Sequence, residues 1–76
     1  MSQVPALLAQ IRPELDLSQS VDFFEEGVLD SFDLITLVSE LDRTYGISID
    51  GLDIVPENFS SVANIEALLA RYGVTP

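Results

Sequence analysis

Three apolar stripes at helical spacing, each closed by a residue that ends helices, constrain the fold of this 76-residue chain more than any other feature. Val4, Leu7, Leu8, Ile11 and Leu15 recur in the i, i+3, i+4, i+7 pattern of a helix with one buried face. Pro5 suits a first turn. Pro13 lacks the N–H that a helix interior requires, so the first helix is expected to end near Ile11 or Arg12, with Leu15 packing from the loop. Leu34, Leu37, Val38, Leu41 and Tyr45 form the second stripe. Asp30 is placed to cap it, Ser31 takes the first helical position and Gly46 stops it, which predicts a helix over 31–45. Val62, Ile65, Leu68, Leu69 and Tyr72 form the third, with Ser61 as its cap and Gly73 at its end.

The connections carry their own signals. Ile47-Ser-Ile49 alternates as a strand would, but no second strand pattern pairs with it, so it reads as extended loop with inward-facing isoleucines. Pro56-Glu-Asn-Phe59 is expected to start a single short helical turn, with Phe59 plugging the core. The stretch from Pro13 to Asp30 lacks helical period yet contains Val21, Phe23, Phe24, Val28 and Leu29, so it reads as a packed loop. The expected architecture is all-α: a small four-helix bundle of three main helices and one short one, with a long first loop, in one domain over 1–76.

Composition narrows the function. The chain has no His and no Cys. That removes imidazole general-base catalysis, the Ser-His-Asp triad, cysteine nucleophiles and zinc sites built on imidazole or thiolate. No metal site is expected. An EF-hand loop starting at Asp42 needs Gly at its sixth position and has Ile47 there. Apolar residues make up 47%, too many for a disordered acidic tail. The formal charge is −10, which repels nucleic acid backbones and anionic membranes. No apolar run is long enough for a membrane span and no basic leader precedes one, so a soluble cytoplasmic protein is expected. Twelve acids and one base, Arg43, fall between Glu14 and Glu57, while Arg12 and Arg71 lie outside that segment. Such a field speeds encounter with basic partners, and its self-repulsion favours a monomer.

The second helix holds the residues that stand out. At 100° per residue, Phe32 and Ile35 lie about 160° and 100° from Leu34, off the buried stripe. With Asp33, Glu40 and Asp42 around them, the pair outlines a docking surface. The alternative is that Phe32 folds under the long loop as core. Ser31 reads either as a helix-starting hydroxyl or as a hydroxyl at the positive end of a helix dipole, where a phosphate ester is favoured. Asp30 beside it can help hold a divalent cation during phosphoryl transfer. Ser31 is not a hydrolase nucleophile: G-x-S-x-G is absent, as is any His to activate it.

Gly27-Val-Leu-Asp-Ser-Phe-Asp-Leu-Ile-Thr-Leu-Val38 resembles the attachment motif of acyl carrier proteins and related phosphopantetheine carriers. Tyr45-Gly-Ile-Ser-Ile49 looks like the aromatic-Gly-Ile-x-Ile stretch of that family, and Pro56 through Leu69 like its third and fourth helices. The likeness spans roughly residues 4–72. It implies an acyl-carrier-like fold, with Ser31 carrying a covalent 4′-phosphopantetheine from coenzyme A whose thiol holds cargo as a thioester. The chain departs from the family at Phe32, where Leu is commonest, at Thr36, where fatty acid carriers usually have Glu, and at Ser39, where they often have Met. Phe23 through Phe32 looks especially like the D-alanyl carriers.

The resemblance thus implies a stand-alone acyl carrier, not an enzyme, serving a dedicated biosynthetic pathway. Its implied partners are a phosphopantetheinyl transferase, an acyl- or aminoacyl-loading enzyme, and a downstream synthase or transferase with a basic docking surface. Phe32, Asp33, Ile35, Thr36, Ser39, Glu40 and Asp42 are the docking candidates. Ile35, Leu37 and Leu41 are candidates to line a space for cargo. Two alternatives stay open: an aminoacyl or D-alanyl carrier loaded by an adenylating ligase, and an acidic helical adaptor without a cofactor.

Overall fold

The computed structural model describes residues 2–14 and 22–76. The expectations for Leu15 and Val21 lie outside those residues. Helix α1 spans Val4–Ile11, α2 Ser31–Tyr45 and α3 Val62–Arg71. Two single 3-10 turns, Gly51–Asp53 and Pro56–Asn58, sit between α2 and α3. The described residues contain no strand. The expected short fourth helix is thus one 3-10 turn, and the turn at Gly51–Asp53 had no sequence expectation.

Each helix ends where its local chemistry requires. Pro5 lies in the first turn of α1, which gives way at Arg12, just before Pro13. Asp30 caps α2 and Gly46 terminates it at φ 66, a left-handed backbone that a residue with a Cβ adopts only at a cost. Ser61 caps α3 through Oγ, which accepts from the Asn64 N–H at 3.1 Å. Gly73 follows the helix at φ 76.

The three stripes meet in one core. Val4, Leu7 and Leu8 of α1 pack with Leu34, Leu37, Val38 and Leu41 of α2 and with Ile65, Leu68 and Leu69 of α3. Phe59, just past the second 3-10 turn, is fully buried among them, the core plug expected after Pro56. Ile49 is buried and Ile47 is packed against the core from its edge. In the first connection, Phe23 and Leu29 join the core and Phe24 and Val28 lean on it, so the described part is packed loop. The Phe23 N–H donates to the Ser60 carbonyl at 2.9 Å, tying this loop to the segment before α3.

The acids of the second loop serve as structure. Asp50 Oδ1 accepts from the Leu52 N–H at 2.8 Å. Asp53 accepts from the Tyr72 hydroxyl at 2.7 Å and from Arg71 at 2.9 Å. The Tyr72 oxygen in turn accepts from the Asp50 N–H at 2.9 Å, which pins the loop to the end of α3. The phenol donates to the Asp53 carboxylate, and this pushes its pKa above the usual tyrosine value.

Because Phe59 is central and has no exposed surface, Phe59→Ala is expected to cost about 3–5 kcal/mol, a large part of the stability of a domain this size. Urea unfolding of wild type and variant checks this. Tyr72→Phe, which removes only the hydroxyl, is expected to raise amide exchange at Asp50 while leaving core amides unchanged.

Candidate functional site

The site is built at the start of α2, where two side chains close the first turn on each other. The Asp33 N–H donates to Asp30 Oδ1 at 3.0 Å, and the Asp30 N–H donates to Asp33 Oδ2 at 3.2 Å. This reciprocal cap satisfies two donors that a helix start otherwise leaves open. It draws the Asp30 carboxyl below its ordinary value of 3.8, chiefly through the Asp33 N–H, with help from the Phe32 N–H and the Arg12 charge. Asp30 is therefore anionic at neutral pH.

Arg12 closes the site from α1. Its Nε and Nη2 approach Asp33 Oδ2 at 2.9 and 2.8 Å. Nη2 lies 3.7 Å from Asp30 Oδ2, and Nη1 lies 3.6 Å from Glu14. The bond to Asp33 raises the Arg12 pKa above its ordinary value, so the guanidinium stays charged. Sequence reading placed Arg12 outside the acidic segment and gave it no role. Its partner Asp33 is 21 positions away, too far for any helical spacing to reveal.

Ser31 stands exposed between Asp30 and Phe32 on this fixed turn. The positive end of α2 favours a phosphodiester there, and the hydroxyl lies on a surface a second protein can reach. The exposed serine, the helix start and the anionic Asp30 fit a phosphate-linked group made by an enzyme acting in trans. With no His or Cys in the chain, the serine has no imidazole or thiol to activate it.

Phe32 is 79% exposed and Ile35 62% exposed, so Phe32 does not fold under the loop. Thr36 and Ser39 are exposed beside them. The acids expected around this pair each have a partner within the domain. Asp33 is held by Arg12, Glu40 is paired with Arg43, and Asp42 Oδ1 accepts from the Ile49 N–H at 3.0 Å. The outer face of α2 presents Phe32, Ile35, Thr36, Ser39 and Arg43, with no carboxylate among them. The cargo-lining expectation also divides. Leu37 and Leu41 are fully buried core, whereas Ile35 points outward. Leu52, which no sequence argument singled out, is 88% exposed on the first 3-10 turn.

A groove of about 350 Å³ lies between α1 and α2, lined by Gln10, Ile11, Asp33, Thr36 and Glu40. At 100° per residue, Thr36 and Glu40 sit about 140° and 180° around α2 from Ser31. The groove therefore opens on the flank away from the serine.

The sequence profile of the family described as "phosphopantetheine attachment site" matches residues 4–69. The chain belongs to that family of carrier proteins, whose members bear covalently attached 4′-phosphopantetheine and interact with phosphopantetheinyl transferases and partner enzymes. No curated protein matches the chain. No solved structure matches it. Among the described residues, no helix is long and apolar enough to cross a membrane.

The lowered Asp30 pKa sets a pH dependence. A carboxyl whose folded value lies below its unfolded one contributes stability that is complete above about 3.8 and is lost as pH falls through the folded value. Asp30→Ala is expected to lose this contribution at neutral pH and to show a shallower fall in stability over the acid range. Urea midpoints at neutral pH and below the carboxylate range measure the difference.

Proposed function

We propose that this chain is a carrier of acyl intermediates, with Ser31 as the point of phosphopantetheine attachment. The observation that carries the reading is an exposed serine at the first position of a helix whose start is fixed by a reciprocal cap, within a chain of the phosphopantetheine-attachment family. Transfer joins Ser31 Oγ to the phosphorus of coenzyme A's pantetheine phosphate and breaks the bond to the nucleotide. The serine proton leaves to the transferase, and 3′,5′-adenosine bisphosphate departs. Asp30 contributes an anionic oxygen for the divalent cation in that complex. The chain is the substrate of these reactions and catalyses none of them.

Partner enzymes dock on the outer face of α2. Phe32 and Ile35 supply the apolar contact, and Thr36 and Ser39 flank it with small side chains. Asp33, Glu40 and Asp42 support this face from within the domain through their bonds to Arg12, Arg43 and the Ile49 N–H. The net charge of −10 favours encounter with basic surfaces at long range, while the small apolar pair keeps affinity modest. An aminoacyl cargo loaded by an adenylating ligase is the second reading. It rests on the likeness of Phe23 through Phe32 to the D-alanyl carriers.

The test is intact mass after incubation of the apo protein with coenzyme A, Mg²⁺ and a broad-specificity phosphopantetheinyl transferase. The wild type is expected to gain one phosphopantetheinyl group and Ser31→Ala none. A folded wild type that gains nothing from several transferases would reverse the reading in favour of an acidic adaptor. Phe32→Ser is expected to raise KM for loading about tenfold, the loss typical of an exposed aromatic anchor, with little change in thermal stability. Charging the loaded protein with an acyltransferase or with an adenylating ligase then separates the two cargo classes.

A further inference from the structure

Ser31 is placed by its neighbours: Asp30 before it and Asp33 two positions after it close on one another around it. Both carry negative charge at the same helix end, and like charges this close repel. The one guanidinium of α1's C-terminal end faces both, at 2.8 Å from Asp33 and 3.7 Å from Asp30. Asp33 Oδ2 thus receives two donors from Arg12 and one from the Asp30 backbone.

The geometry points to Arg12 as a positioning residue for the attachment site, holding the Asp30–Asp33 cap closed so that Ser31 is presented on a fixed helix start. This rests on Ser31 being the attachment point. Arg12 acts through the two carboxylates and is not a group that reacts. The role is local. Arg12 and Asp33 are half-buried, and their pair joins only the end of α1 to the start of α2. The core of α2 is held separately by Leu34, Leu37 and Leu41. Loss of Arg12 therefore frees the first turn and the end of α1 while the bundle stays folded. Its planar fork reaches one oxygen through two nitrogens, which a lysine ammonium does not reproduce.

Two readouts test this. The first is amide hydrogen exchange by NMR on the unloaded protein. Arg12→Gln is expected to raise exchange at the Asp30 and Asp33 amides several-fold and to leave Leu37 and Leu41 unchanged. The second is the kinetics of loading by a phosphopantetheinyl transferase with coenzyme A and Mg²⁺. Arg12→Gln is expected to lower kcat/KM about tenfold, the scale of a small misplacement of a reacting group. Arg12→Lys should recover part of that loss. Asp33→Asn should resemble Arg12→Gln, and the double variant should fall by less than the product of the two effects, because both changes remove the Arg12–Asp33 pair.

Loading of Arg12→Gln at the wild-type rate overturns the proposal. So does exchange that rises equally at core amides, which marks a general loss of stability, and so do single effects that multiply in the double variant. A folded wild type that is never loaded overturns the attachment reading itself. The positioning role then falls with it, and the exchange result shows only whether Arg12 closes the helix cap.

Discussion

Both ends of α2 are closed by side chains and a glycine at its termini, and the site and the loop that follows depend on those closures. At the start, the Asp30–Asp33 cap fixes the direction in which the chain enters the helix. At the end, Gly46 turns the chain through a left-handed residue, and Asp42 takes the N–H of Ile49. The first closure leaves Ser31 at the surface. The second sends Ile49 into the core and sets the course of the loop that carries both 3-10 turns. A helix of moderate apolarity, buried along one stripe, needs such end constraints because its open backbone groups otherwise compete for water.

The charge distribution becomes intelligible once those constraints are placed. Acids among the described residues do several kinds of work. Asp30, Asp33, Asp50 and Asp22 accept backbone N–H groups at turns and helix starts. Asp53 and Asp42 pin loops to helices. Glu25, Glu26 and Glu57 stand exposed and contribute field. The face of α2 that carries Phe32 and Ile35 is spared, so attraction at a distance and contact at close range are divided between different surfaces. That division suits a protein that meets several enzymes in turn, since charge speeds encounter without deepening the bound state.

Much of this was legible in the residues. Helix α2 was predicted over 31–45 with Asp30 as cap and Gly46 as stop, and it occupies those positions. Phe59 was expected to plug the core and does so. Ser31 was singled out by its place at the helix start and by resemblance. The agreement over α2 has a local cause: stripes, caps and stops are set by residues within about four positions of one another, where spacing fixes geometry. Phe32 and Ile35 were readable for the same reason, since a helix wheel says which side chains miss the buried stripe.

What the wheel could not say is what the charged residues beside them would meet. Asp33 faces Arg12 across 21 positions and Tyr72 reaches Asp53 across 19, whereas Glu40 and Arg43 stand three positions apart on one helix, a spacing the wheel does hold. Asp33 is therefore committed to a partner on another helix, and Ile35 faces outward instead of lining the space between helices. The residues alone settle the helices, their ends and the place of Ser31 at the start of α2, because hydrophobic period and capping act locally. Only the tertiary structure decided which carboxylates remain available, because an ion pair between helices depends on how the two pack, and that packing is settled by the core they share.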